Sequence, residues 1–233
     1  MIAGRVAAVR ERIARAAERA SRRAEEVTLV AVSKTWPAEA VRAAFAAGVR
    51  HFGENKVQEA SAKIAELVDL RARGLRWHLV GHLQSNKVRK AATLFDVVQS
   101  VDSVGLAERL ARARADAGGE TLHVLVQVDL AGEASKSGLV EDSLEEALRG
   151  MRRLRGLSLD GLMVLPPYLD DPDAIRPYFA RLRNLRDRVA AAGLLDGDEL
   201  SMGMSHDFET AVEEGATMVR VGTAIFGERD AAA

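Results

Sequence analysis

Val27-Thr-Leu-Val-Ala-Val32 runs straight into Ser33-Lys34-Thr35, and Pro37 then opens a helical stretch. A short, β-branched, nearly all-apolar run followed at once by a helix is how a parallel strand buried on both faces reads. The theme returns along the chain. Strand-like runs fall at 49–52, 76–80, 96–99, 122–128, 157–164, 199–202 and 217–221, and helical patterns lie between them at 38–47, 56–70, 104–117, 144–154, 174–192 and 208–214. Strand and helix alternating over short links is the signature of βαβ units. Eight such strands in roughly 200 residues predict an α/β fold, a (β/α)8 TIM barrel near its minimal size. A doubly wound open sheet is the alternative the pattern leaves open.

Ahead of the first strand, Val6, Val9, Ile13, Ala17 and Ala20 share one face at helical spacing among arginines and glutamates. This predicts an extra amphipathic N-terminal helix against the core. No linker rich in Pro, Gly or Ser divides the chain, so residues 1–233 read as one domain. A formal net charge of -1 gives no electrostatic basis for binding nucleic acid or an anionic membrane. The absence of cysteine excludes disulfides, thiolate nucleophiles and cysteine metal sites. Arg5, Arg10, Glu11, Arg12 and Arg15 interrupt any signal-peptide core, and no stretch approaches the roughly 20 apolar residues that span a bilayer. A cytoplasmic protein is expected.

Only six of the 33 basic residues are lysine. Where this chain needs a surface cation it takes arginine, so a lysine in an unusual place carries more information. Arginine does not form an imine under physiological conditions, whereas a partly buried lysine amine can.

In a parallel barrel, chemistry collects at the C-terminal ends of the strands. Lys34 stands at the first such end as an amine nucleophile, although a strand-end lysine paired with a carboxylate would look the same. The second run ends Phe52-Gly-Glu-Asn55, where Asn55 either meets a ligand or merely starts the next helix. His78 and His82 lie four apart, which on a strand is roughly 13 Å, too far for one metal ion unless the chain turns. Lys136, in Ser135-Lys136-Ser137-Gly138, is a second strand-end lysine with a loop role as its simpler reading. The last two runs end Leu200-Ser-Met-Gly-Met-Ser205 and Val219-Arg220-Val-Gly222-Thr223. Loops at these positions commonly build a barrel's phosphate site, and Ser201, Gly203, Gly222 and Thr223 are small, permissive or hydroxyl-bearing.

These segments, with Trp77-His78 through Gln84-Ser-Asn86-Lys87, Gly161-Leu-Met163 and the continuation to Gly227, resemble the pyridoxal phosphate homeostasis protein family, nearly end to end and in order. The resemblance implies a fold-type III barrel like the N-terminal domain of alanine racemases, monomeric or weakly dimeric. It implies pyridoxal 5′-phosphate (PLP) as a Schiff base on Lys34 and a role in buffering the cofactor or delivering it to PLP-requiring apoenzymes, without established turnover. Under it Ser201, Gly222 and Thr223 hold the phosphate and Arg220 faces the pyridine nitrogen. Lys56 stands where the family often has tyrosine and Asp129 where asparagine is usual, which leaves the polarity of the rim open.

PLP is a strong electron sink when its ring nitrogen carries a proton, usually secured by a carboxylate. Arg220 can only donate, which favours an unprotonated nitrogen and a weaker sink. Racemisation also needs a base on the far face of the substrate. In alanine racemases a tyrosine of a separate C-terminal domain supplies it, whereas Tyr168 and Tyr178 here follow the sixth run. The competing expectations are a PLP-dependent amino-acid racemase or lyase, and a barrel enzyme acting on a phosphorylated metabolite.

Overall fold

A computed structural model describes residues 1–132, 137–169 and 171–228. Its strands are β1 (Thr28–Val32), β2 (His51–Glu54), β3 (Arg76–Leu79), β4 (Val97–Val101), β5 (Leu122–Asp129), β6 (Leu139–Val140), β7 (Leu157–Val164), β8 (Glu199–Ser201) and β9 (Met218–Val221). The sheet runs β4-β3-β2-β1-β9-β8-β7-β5, and a further parallel pairing of β4 with β5 closes it into an eight-stranded barrel. The two-residue β6 sits beside β5, outside the ring. The expected (β/α)8 TIM barrel is therefore the observed fold.

The ring of helices is α2 (Ala38–Ala46), α3 (Val57–Glu66), α4 (Val68–Arg71), α5 (Val88–Leu94), α6 (Val104–Asp116), α7 (Glu141–Met151), α8 (Pro172–Ala191), α9 (Phe208–Glu213) and the short α10 (Thr223–Phe226). The helical pattern over 56–70 resolves into α3 and α4. The break falls at Leu67, whose side chain is fully buried and whose backbone leaves helical geometry (φ -113°, ψ 22°). The extra helix α1 (Ile2–Arg19) packs on α2, α9 and α10. Its buried stripe is Val6, Val9, Ile13, Ala16 and Ala17. Arg12 forks onto Glu209 at 3.2 and 2.8 Å, and Arg19 reaches Glu213 at 2.7 Å, fixing the helix over α9.

Alternation along the strands creates two interiors. Outward residues such as Ala31, Phe52, Trp77, Val98, Val124 and Val219 join the main core between barrel and helices. Inside the barrel, Val30, Leu125, Met163 and Met218 form a separate small apolar cluster. Register places Val30 beside both His51 and Arg220, so the inward row mixes apolar and polar side chains. Among the described residues, no helix is long and apolar enough to cross a membrane.

Candidate functional site

A cavity of about 490 Å³ opens at the C-terminal strand ends, within the range of small-molecule sites. Val32 and Lys34 follow from β1, Asn55 from β2, Gly81 and His82 from β3, Leu165 and Tyr168 from β7, Met204, Ser205 and His206 from β8, and Arg220, Gly222 and Thr223 from β9. Lys34 is the only amine among the described residues that line it. Gly81 is required where β3 leaves the barrel, because a Cβ there would stand 2.4 Å from Asn55 O.

The turn carrying Lys34 is clamped from the helix side. Ser33 Oγ donates to Glu54 Oε1 at 2.6 Å, and Lys63 Nζ donates to Ser33 O at 2.7 Å and to Glu54 Oε1 at 2.6 Å. Glu59 accepts from Thr35 N, which helps hold Thr35 in the left-handed region (φ +66°) that a β-branched residue rarely adopts. Local sequence alone gives no reason for that turn. The buried ion cluster on β2 and α3 does.

Burial holds the Glu54 carboxyl above the usual range, against the pull of Lys63 and Ser33. A folded-state pKa raised above the unfolded value means that ionising Glu54 opposes folding, so the stability it contributes is lost as pH rises through the folded pKa. Without Lys63 the opposing attraction is gone. Lys63→Met is expected to lower stability by about 3–5 kcal/mol near pH 8, the usual loss when a buried pair loses one partner, and by less near pH 5, where Glu54 can bind a proton. Urea unfolding at both values checks this, and an equal loss at both contradicts it.

On the adjoining wall, where β9 pairs with β1, Ser205 Oγ accepts from the main-chain N–H groups of Gly222 at 3.1 Å and Ala224 at 3.4 Å. Gly203, in the left-handed region at φ +90°, lies between β8 and Ser205, which lines the cavity. Of the six residues expected at the site, Lys34, Asn55, Arg220, Gly222 and Thr223 line this one cavity. Ser201 does not. It is fully buried one layer below, donating to Gln99 Oε1 and accepting from Arg220 Nη1, both at 2.6 Å. The hydroxyl that faces the cavity from this segment is Ser205, four residues further on.

Arg220 is buried, and burial lowers its pKa to about 10, with Asp207 opposing, so it remains a cation near neutral pH. Its Nη2 donates to Val164 O at 2.8 Å. Three further titratable side chains reach the rim. His82 Nδ1 lies 3.3 Å from Asp102 Oδ2 and 3.0 Å from Ser137 Oγ. His206 Nε2 is 3.2 Å from Asp207 Oδ2, and the ring of Tyr168 lies against the His206 ring at 4.6 Å between centroids. Tyr168, which in the sequence merely follows the sixth strand-like run, reaches the site. The chain passing from β7 toward α8 brings Tyr168 to the cavity mouth. Lys56 is exposed and not among the lining residues, and Asp129 caps its own loop, accepting from Ala131 N and Gly132 N at 3.0 Å. Lys136 falls outside the described residues. His78 and His82 are not joined as a pair: His78 points inside the barrel and His82 stands at the rim, and among the described residues no group of three or more potential metal ligands assembles.

Residues 5–230 match the family described as alanine racemase, N-terminal domain. The chain is 48% identical to the pyridoxal phosphate homeostasis protein of Pseudomonas aeruginosa over 233 residues, covering 98% of this chain and 96% of the relative. It is 42% identical to that of Aquifex aeolicus over 225 residues, covering 97% of each. Among solved structures, PipY of Synechococcus elongatus shares 44% identity and covers 97% of this chain and 100% of its own, with a TM-score of 0.88 without PLP and 0.86 with PLP bound. The cavity at the strand ends, the lysine on the clamped turn after β1 and these relatives together place the chain in the alanine racemase N-terminal domain family, among its pyridoxal phosphate homeostasis proteins.

Proposed function

We propose that this protein binds pyridoxal 5′-phosphate as a Schiff base on Lys34, buffers it, and delivers it to apoenzymes that require it. The observation that carries the reading is the convergence, in one cavity, of an amine on a clamped turn, a wall of main-chain N–H groups and hydroxyls, and a buried cation. The donor set fits the cofactor. Lys34 suits its aldehyde; Ser205, Thr223 and the Gly222 amide suit a phosphate; and Arg220 suits a ring nitrogen that accepts. Bound PLP supplies an aldehyde and an electron sink whose strength depends on ring protonation. Asn55, on the β2 side, suits the ring hydroxyl. One domain spanning 1–233, acting in the cytoplasm as a monomer or weak homodimer, completes the proposal.

A second reading, a PLP-dependent amino-acid racemase or lyase, is favoured by one observation: Tyr168, His206 and His82 line the same cavity and could move protons. The fixed cation Arg220 weighs against it.

Delivery is tested by loading the protein, removing free PLP, and adding a PLP-requiring apoenzyme. The apoenzyme regains activity with the loaded protein as its only cofactor source, and Lys34→Ala protein treated alike supplies little. No recovery from the wild-type protein contradicts the delivery role.

A further inference from the structure

Five polar side chains cross the barrel interior in one unbroken line. Arg220 Nη1 lies 2.6 Å from Ser201 Oγ, and Ser201 Oγ lies 2.6 Å from Gln99 Oε1. Gln99 Nε2 is 2.9 Å from His78 Nδ1, and His78 Nε2 is 2.9 Å from His51 Nδ1. They come from β9, β8, β4, β3 and β2. Ser201, Gln99 and His78 are wholly buried, while His51 is partly exposed at the start of β2, far from the cavity. The barrel's own apolar cluster lies alongside. Burying polar groups opposes folding unless each finds a partner, so the line is not explained by core packing.

The chemistry of one end fixes the direction of every bond. A guanidinium offers only donors, so Ser201 Oγ accepts from Arg220 and sends its own proton to Gln99 Oε1. The Gln99 amide then turns its NH₂ toward His78 Nδ1, with Met218 Sδ at 3.6 Å as second acceptor. His78 is left with its proton on Nε2, donating to His51 Nδ1. Reversing Gln99 would set two donors against Ser201 and leave the hydroxyl proton without an acceptor. Burial is the main cause holding both imidazoles below the usual histidine range, which keeps them neutral as the arrangement requires.

We propose that Ser201, Gln99 and His78 are positioning residues whose one-way hydrogen-bond chain locks Arg220 as a fixed donor at the cofactor cavity. This rests on the cavity being the PLP site proposed above. With Nη1 tied to Ser201 and Nη2 tied to Val164 O, the guanidinium plane cannot turn, and its facing edge keeps one orientation. Ser201 thereby acts on the site through Arg220 and not by touching the ligand.

Nitrogen-15 spectra of the imidazole rings in ligand-free protein test the chain without any cofactor. Wild-type His78 should be neutral with its proton on Nε2. In Gln99→Glu the carboxylate accepts from both Ser201 and His78, so the His78 proton should move to Nδ1. A wild-type His78 that is protonated on Nδ1, or is an imidazolium near neutral pH, overturns the proposal, as does a Gln99→Glu protein with an unchanged tautomer. At the cavity, Ser201→Ala changes no lining residue yet should weaken PLP binding on the order of tenfold and shift the visible absorption maximum, as expected for one lost hydrogen bond to a charged group. Unchanged affinity and spectrum in a folded Ser201→Ala protein also overturn it. If wild-type protein failed to bind PLP, the cofactor reading would fail and the imidazole spectra would still decide the chain.

Discussion

Pyridoxal lacking its phosphate should bind this protein about 10²–10⁴-fold more weakly than pyridoxal 5′-phosphate, because two or more hydrogen bonds to a charged group are lost at about 1.5–3 kcal/mol each. The donors are local and few. The Gly222 and Ala224 amides converge on Ser205 Oγ, and Thr223 lines the same wall. An anion seated there would accept hydrogen bonds from these amides and from the Ser205 hydroxyl. Ser205→Ala should remove part of the discrimination. Gly222→Val should remove most of it, since the new Cβ would meet Val32 O at an ordinary 3.4 Å while the branches fill the wall. Absorbance titrations with both vitamers measure this, and equal affinities would take these residues out of the site.

Turnover is the second large effect. L-Amino acids incubated with the loaded protein in deuterated water should show at most trace α-deuteration and no racemisation at enzymatic rates. Arg220 lies buried, remains a cation, and is held by two fixed acceptors, so it cannot supply the ring proton that makes a strong electron sink. A correctly placed acid or base is worth on the order of 10²–10⁴ in rate. Tyr168 is 70% exposed and lies against His206, away from the barrel floor. Racemisation faster than roughly 1 s⁻¹ would favour the enzyme reading. Tyr168→Phe and His206→Asn would then identify the base.

The barrel and most of its mouth were legible because their signals are local. A β-branched run that ends in Ser-Lys-Thr, or in Val-Gly-Thr, declares a strand end, and strand ends of a parallel barrel face one side. Lys34, Asn55, Gly222 and Thr223 followed from that, whereas Arg220, inside β9, was implied only by the family resemblance. Ser201 and Ser205 could not be told apart this way. Which hydroxyl faces the cavity depends on the left-handed backbone at Gly203 and on the bond from Arg220, on the neighbouring strand, to Ser201. The His51–His78 bond joins residues 27 apart through the register of β2 on β3, and nothing in either local sequence announces it. The split of 56–70 at Leu67 was likewise set by tertiary burial overriding a continuous helical pattern. Tyr168 reaches the mouth only because of the path the chain takes from β7 to α8.

Borohydride reduction of the PLP-loaded protein, followed by intact mass and peptide mapping, decides whether Lys34 carries the imine. A single phosphopyridoxyl group should be fixed on Lys34, and the same treatment of Lys34→Ala protein should leave the cavity without an adduct even where PLP still binds through the phosphate wall. An adduct found only on another lysine, such as Lys56, Lys63 or Lys136, would contradict the account.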